Sequence, residues 1–273
     1  MKLPAVRSIL EQSLASHFEP REQRNLIAYY LDAKRGDLLE AALSEAQVRS
    51  DVADIVKGHP IQYVTQTSFF YGYKFHVDER VLIPRPETEE LVDWIIKDHT
   101  AQPLLRILDL GTGSGCILLS IMAEFKEAVG YGADVSRAAL EVFNINQEKL
   151  GRTAHTLEYD MNDQQPDKLP DQLDIIVSNP PYIKKNELAQ MDKSVIEHEP
   201  EIALFVEGED ALHFYKQIMD LAPKLLKPEG ELYLETSYQY HEELQAQVAH
   251  RGLKCEFRKD LSGQWRMLKL WGY

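Results

Sequence analysis

Leu104-Leu105-Arg106-Ile107-Leu108-Asp109-Leu110-Gly111-Thr112-Gly113-Ser114-Gly115-Cys116-Ile117-Leu118-Leu119 joins an apolar run to a loop with glycine at alternate positions and then to a second apolar stretch of helical pattern. The order reads as strand, tight turn, helix, the opening unit of an α/β sheet with parallel strands. Glycines let the backbone approach a ligand closely, and the N-terminus of the following helix favours a negative group such as a carboxylate. A glycine-rich loop is shared by dinucleotide-binding enzymes. The spacing here is Gly-x-Gly-x-Gly rather than Gly-x-Gly-x-x-Gly, which moves the expected ligand from NAD toward S-adenosylmethionine, held by Gly111, Thr112, Gly113, Ser114 and Gly115.

Three further strand ends follow in order. Asp134 stands 19 residues after Gly115, at the end of the short run Ala128-Val129-Gly130-Tyr131-Gly132-Ala133. An acid there suits ribose hydroxyls, although a helix cap shared with Ser136 explains it as well. Tyr159-Asp160-Met161 closes the next strand, with Asp160 and Met161 placed for adenine contact or, for Met161, simple core filling. Asn179-Pro180-Pro181-Tyr182 then ends the apolar run Leu173-Asp174-Ile175-Ile176-Val177-Ser178. Ligands of open α/β sheets bind along this carboxyl edge.

The last of these motifs carries chemistry. A carboxamide or exocyclic nitrogen is a poor nucleophile because its lone pair is delocalised. An Asn179 side-chain oxygen and the Pro180 carbonyl can each accept one of its hydrogens, fixing the nitrogen and favouring the positive charge that builds during attack. Pro180 and Pro181 lack N–H donors and have fixed φ, so the corner is stiff. Tyr182 offers a flat face for a planar group. The alternative, that Pro-Pro merely ends a strand, is weakened by the three preceding signals. Nitrogen methylation is the expected reaction, with a glutamine amide, adenine N6 and guanine N2 all open as acceptors; a fold that has lost turnover is the non-enzymatic alternative.

Composition sets limits. The 273 residues are 44% hydrophobic and 27% charged, as in ordinary water-soluble domains. Cys116 and Cys255 have neither disulfide nor metal-ligand spacing, so no metal is expected. No apolar stretch approaches the roughly 20 residues that span a bilayer, and Met1-Lys2-Leu3-Pro4 begins no signal peptide; a cytoplasmic protein without membrane contact is expected. Net charge is −14. Residues 1–80 carry ten Lys/Arg against eleven Asp/Glu, which leaves 20 against 33 for the rest. An acidic catalytic part repels phosphates, so no stable nucleic-acid binding is expected.

Residues 1–62 read as a helical domain for substrate docking. Val6, Ile9, Leu10 and Leu14 share one helical face, and Ser44-Glu45-Ala46-Gln47 is a capping box. Residues 63–82, rich in Thr, Phe and Tyr, read as a β-hairpin linker. Residues 83–273 read as the catalytic domain, entered through a rigid loop from Leu82 to Glu89 that leads into a helix from Glu90 to Lys97. A long irregular segment from Ile183 to Glu209 suggests a lid, and a short connection pairs the last two strands antiparallel. His198, Glu199 and Glu201 offer acid–base groups but are set aside as loop residues, since amide methylation can release its proton late to water, and Glu235 and Gln239 read as structural or surface groups. The expected class is α/β: a mostly parallel seven-stranded sheet whose last strand is antiparallel, plus an N-terminal helical bundle.

The set Gly58-His59-Pro60-Ile61-Gln62-Tyr63, Leu82-Ile83-Pro84-Arg85-Pro86-Glu87-Thr88-Glu89, Asp109 to Gly115, Asn179 to Tyr182 and Trp265-Arg266 resembles the release factor glutamine methyltransferase family, over nearly the whole chain. The resemblance implies a class I S-adenosylmethionine-dependent methyltransferase fold. It implies transfer of the methyl group to N5 of the glutamine in the Gly-Gly-Gln motif of peptide chain release factors, with S-adenosylhomocysteine as product. In that setting Gly111 to Gly115, Asp134, Asp160, Met161 and Asn179 would hold the cofactor and Asn179, Pro180 and Tyr182 would be catalytic. Asn179 to Tyr182 with Arg85, Glu87 and Glu89 would bind substrate, unless Arg85 to Glu89 is only an interdomain staple. A monomer is expected. The competing expectation is an exocyclic-amine methyltransferase acting on nucleic acid.

Overall fold

The computed structural model describes residues 1–102, 104–190, 193–206 and 208–273; the expected lid between Ile183 and Glu209 lies partly outside these residues. The chain begins with α1 (Leu3–Leu14), α2 (Pro20–Ala33), α3 (Arg35–Leu39), α4 (Glu45–Val56) and α5 (Ile61–Thr65). Val6, Ile9, Leu10 and Leu14 recur at helical spacing and meet Ile27, Tyr30, Val48, Val52 and Ile55 in a core of their own. The expected cap is present, Ser44 Oγ accepting from Gln47 N at 3.1 Å. Inside this core the Tyr30 hydroxyl donates to Asp51 Oδ2 at 2.6 Å, so the one buried acid keeps a partner.

The hairpin is shorter than its composition suggests: β1 (Ser68–Phe70) pairs with β2 (Tyr73–Phe75), and Tyr63 belongs to α5, a single helical turn started by Pro60 that crosses the expected 62/63 boundary. The run Leu82 to Glu89 is likewise not all loop. α6 (Pro86–Asp98) starts at Pro86, whose fixed φ and missing N–H suit the first helical position, and Glu87 and Glu89 sit in its first turn where the helix dipole favours acids.

Strands and helices then alternate: β3 (Arg106–Leu110), α7 (Cys116–Glu124), β4 (Val129–Asp134), α8 (Arg137–Lys149), β5 (His155–Glu158), β6 (Leu173–Ser178), the short helices α9 (Lys193–His198) and α10 (Glu201–Leu204), α11 (His213–Leu225), β7 (Leu226–Glu235), α12 (His241–His250), β8 (Lys254–Lys259) and β9 (Trp265–Trp271). The sheet order is β5-β4-β3-β6-β7-β9-β8. Five strands are parallel, and β9 runs antiparallel to both β7 and β8. The seven-stranded, mostly parallel expectation therefore holds.

Period-two alternation builds the two faces. Ile107, Ile175, Val177 and Tyr233 pack with residues of α6 and α7, whereas Leu108, Leu110, Ile176, Leu232 and Leu234 pack with α11 and α12. The strand order reverses between β3 and β6, so the loops leaving these neighbours diverge and open a crevice at their carboxyl ends. Among the described residues no helix is long and apolar enough to cross a membrane.

Candidate active site

The glycine loop leaves β3 and folds over the end of β4. Gly111 N and Thr112 N both donate to Ala133 O, at 2.8 and 3.0 Å, and Gly115 N closes the turn on Thr112 O at 2.8 Å. Gly113 N donates to Asp134 Oδ2 at 2.9 Å, while Ser136 N donates to Asp134 Oδ1 at 2.9 Å. The carboxylate thus straps the loop to the end of β4, and the cap of α8 is Ser136 itself, whose Oγ accepts from Ala139 N. Burial pushes the Asp134 carboxyl above its ordinary range while these N–H groups pull it back. Thr112 Oγ1 donates to Asp109 Oδ2 at 2.7 Å, and burial raises that carboxyl to about 7.

Two glycines differ in their surroundings. Gly113, at φ +53°, has nothing within 4 Å of where a Cβ would stand, whereas a Cβ on Gly115, at φ +79°, would lie 2.5 Å from the Phe143 ring. A buried Asn146 supports the loop from below: its Nδ2 donates to Ser114 O and to His76 O, both at 2.9 Å, and its Oδ1 accepts from His76 N at 2.6 Å. Met161 comes to the other side, its Cε 3.8 Å from a Cβ built on Gly111. Asp160 accepts from Asn162 N and so caps the short turn that carries Met161. Open space at Gly113, a part-exposed acid at the next strand end and a soft apolar side chain beside Gly111 fit an adenosyl group with a charged tail.

At the other lip of the crevice Ser178 Oγ donates to Leu110 O at 2.6 Å, which ties the end of β6 to the end of β3. Asn179, Pro181 and Tyr182 are half-buried there and Pro180 is buried. Burial pushes the Tyr182 hydroxyl up to about 12, with Glu235 raising it further and Arg266 and Arg85 opposing, so the ring stays a neutral phenol. Asn179 Nδ2 lies 3.5 Å from Thr88 Oγ1, and Thr88 Oγ1 donates to Glu235 Oε2 at 2.5 Å. Glu235 is buried at the end of β7, and burial raises its carboxyl to about 7.

The Arg85 to Glu89 run divides its roles. Arg85 Nη2 donates to Glu199 Oε1 at 2.6 Å, and Ile83 N donates to Glu199 Oε2 at 3.1 Å. Glu87 and Glu89 line an open groove of about 650 Å³ with Trp94, Arg258, Leu261 and Met267. His59 stacks on His198, the residue before Glu199, ring centroids 4.3 Å apart, so the helical region touches the segment that follows Tyr182. The sequence alone sets Glu199 aside as a loop residue and Glu235 as a structural or surface group, and gives Thr88 no role of its own. Each partnership is long-range, Arg85 with Glu199 across 114 positions and Thr88 with Glu235 across 147, and only strand register could have placed Glu235 beside the β6 corner.

Residues 93–209 match the family model described as Methyltransferase small domain. A release factor glutamine methyltransferase of Flavobacterium psychrophilum is 37% identical, with 99% of each chain covered. One of Bacteroides thetaiotaomicron is 34% identical over 96% of this chain and 98% of that one. Among solved structures, the hMettl16 catalytic domain in complex with MAT2A 3′UTR hairpin 1 superposes with a TM-score of 0.58 at 16% identity, covering 74% of this chain and 76% of that one. At that identity the likeness speaks to fold alone.

Proposed function

The chain belongs to the release factor glutamine methyltransferase family, and from that membership we propose that it methylates N5 of the glutamine in the Gly-Gly-Gln motif of peptide chain release factors. S-adenosylmethionine supplies, when bound, a methyl group on a positively charged sulfur that departs with the bonding electrons. Gly111, Thr112, Gly113, Ser114, Gly115, Asp134, Asp160 and Met161 would hold it. Asn179 Oδ1 and the Pro180 carbonyl would accept the two amide hydrogens, leave the nitrogen lone pair facing the glycine loop, and stabilise charge as the nitrogen–carbon bond forms. Tyr182 would flank the planar amide, and the nitrogen would then lose one proton to water. The single observation that carries this reading is the position of the Asn179 corner across the crevice from the glycine loop, the ends of β6 and β3 being joined by the Ser178 to Leu110 hydrogen bond.

The same reading gives Arg85, Glu87 and Glu89 the peptide side of the site, the helical residues 1–62 the docking of the protein substrate, and residues 63–82 the link between them. It takes the protein to be a cytoplasmic monomer that uses no metal and binds nucleic acid only weakly. A nucleic-acid substrate is not favoured, because the relatives that match the whole chain are named for release factors. Incubation with labelled S-adenosylmethionine and a release factor should label the factor, and Gln-to-Ala in its Gly-Gly-Gln loop should abolish the label. Labelling of that variant at an unchanged rate would overturn the assignment.

A further inference from the structure

Thr88 and Glu235 lie just behind the acceptor corner. A carboxamide can serve as the acceptor described above only if its oxygen, not its NH2, faces the substrate. The two ends of an Asn side chain have the same shape, so hydrogen-bond partners must choose between them. Asn179 meets Thr88 Oγ1 through Nδ2 at 3.5 Å. A hydroxyl has one hydrogen, and that of Thr88 goes to Glu235 Oε2 at 2.5 Å, the length of a charge-assisted bond. What Thr88 then presents to Asn179 is a lone pair, which only the NH2 end can satisfy.

Resting on the reaction proposed above, we propose that Thr88 and Glu235 are positioning residues that set the direction of the Asn179 carboxamide, Glu235 fixing the hydroxyl of Thr88 and Thr88 fixing the amide. Both side chains are buried, 2% and 3% exposed, so water is a poor substitute for either. The direction depends on Glu235 being a carboxylate. Once protonated it can give its hydrogen to Thr88, whose hydroxyl is then free to donate to Asn179 and turn the NH2 end toward the substrate, where donor meets donor. The charged and titratable groups acting on or facing Glu235 are Arg266 on β9, Arg85 and Glu87 at the start of α6, Tyr182, Tyr215 on α11 and Cys116 on α7. Burial is the largest influence and holds this carboxyl near neutrality, so the amide direction should respond to pH in the working range.

Thr88→Val keeps the shape and removes the relay; Thr88→Ser keeps the relay. Release factor methylation should show kcat down at least about tenfold in Thr88→Val, with S-adenosylmethionine affinity by calorimetry within about twofold, and Thr88→Ser within about threefold of wild type. Wild-type kcat should rise with pH through about 7, and that limb should vanish in Glu235→Gln. Thr88→Val with wild-type kcat would overturn the proposal. If Thr88→Val fails to fold, an unchanged acid limb in Glu235→Gln overturns it instead. An inactive wild type would refute the reaction itself, whereas an active wild type with an equally active Thr88→Val refutes only the relay.

Discussion

Gly113 and Gly115 belong to one motif, yet the structure assigns their replacement by alanine to different losses. At Gly115 two costs combine. The left-handed backbone, φ +79°, costs a β-carbon about 1–2 kcal/mol, and a Cβ at 2.5 Å from the fully buried Phe143 ring forces a core overlap costing about 1–3 kcal/mol. Gly115→Ala should therefore lose about 2–5 kcal/mol of stability. With unfolding entropy of about 2 cal/mol/K per residue over 273 residues, that is a fall in Tm of about 4–9 °C. Gly113→Ala carries only the backbone cost, about 2–4 °C, because its Cβ points into open space. That space is where the cofactor would lie, so Gly113→Ala should weaken S-adenosylmethionine binding out of proportion to its stability. Thermal unfolding and calorimetric titration on both variants make the comparison. Adding Phe143→Leu to Gly115→Ala should relieve the overlap, giving a coupling of about 1 kcal/mol or more in a double-mutant cycle. Equal Tm losses, or zero coupling with Phe143, would refute the reasoning.

Asn179→Ala should lower kcat about 100-fold or more while leaving cofactor affinity nearly unchanged, since one positioned acceptor is lost at the reacting nitrogen; a value within about threefold of wild type would exclude that role. Glu199→Ala strips Ile83 N of its buried acceptor and Arg85 of its partner, and should destabilise the fold by about 1–3 kcal/mol in urea unfolding, the half-exposed Arg85 contributing the smaller share. Asp109 has a folded pKa of about 7, above its ordinary 3.8, because burial disfavours the charge. The folded state holds the proton more tightly, so this group's stabilisation is full below pH 3.8 and is lost as pH rises through about 7. Asp109→Asn should flatten the fall in stability over that window relative to wild type, and an unaltered pH profile would contradict it.

The parts of the fold legible in the sequence are those written in local periodicity. Apolar runs ending in Gly111, Asp134, Asp160 and Asn179 gave the strands in order, and right-handed parallel connections then leave little choice of edge. The start of α6 was written there too, in Pro86 followed by Glu87 and Glu89, but the proline-rich run before it resembles a loop because proline cannot continue a helix, only begin one. The region around Tyr63 misleads through β-favouring composition; Pro60 and packing against α2 and α4 make it a helical turn instead. Glu199 and Glu235 were illegible for a different reason. An acid is assumed exposed until its partner is known, and both partners arrive from the α6 region more than a hundred positions away.

In the proposed reaction a stiff corner at Asn179 aims the nitrogen of a planar side-chain amide at a methyl donor held by the glycine loop. Mass spectrometry of a release factor after incubation with the protein and S-adenosylmethionine tests it most directly. The expected result is a gain of one CH2 confined to the glutamine of the Gly-Gly-Gln fragment, absent with Asn179→Ala. A methyl group found on any other residue, or on RNA carried with the factor while that glutamine stays unmodified, would contradict it.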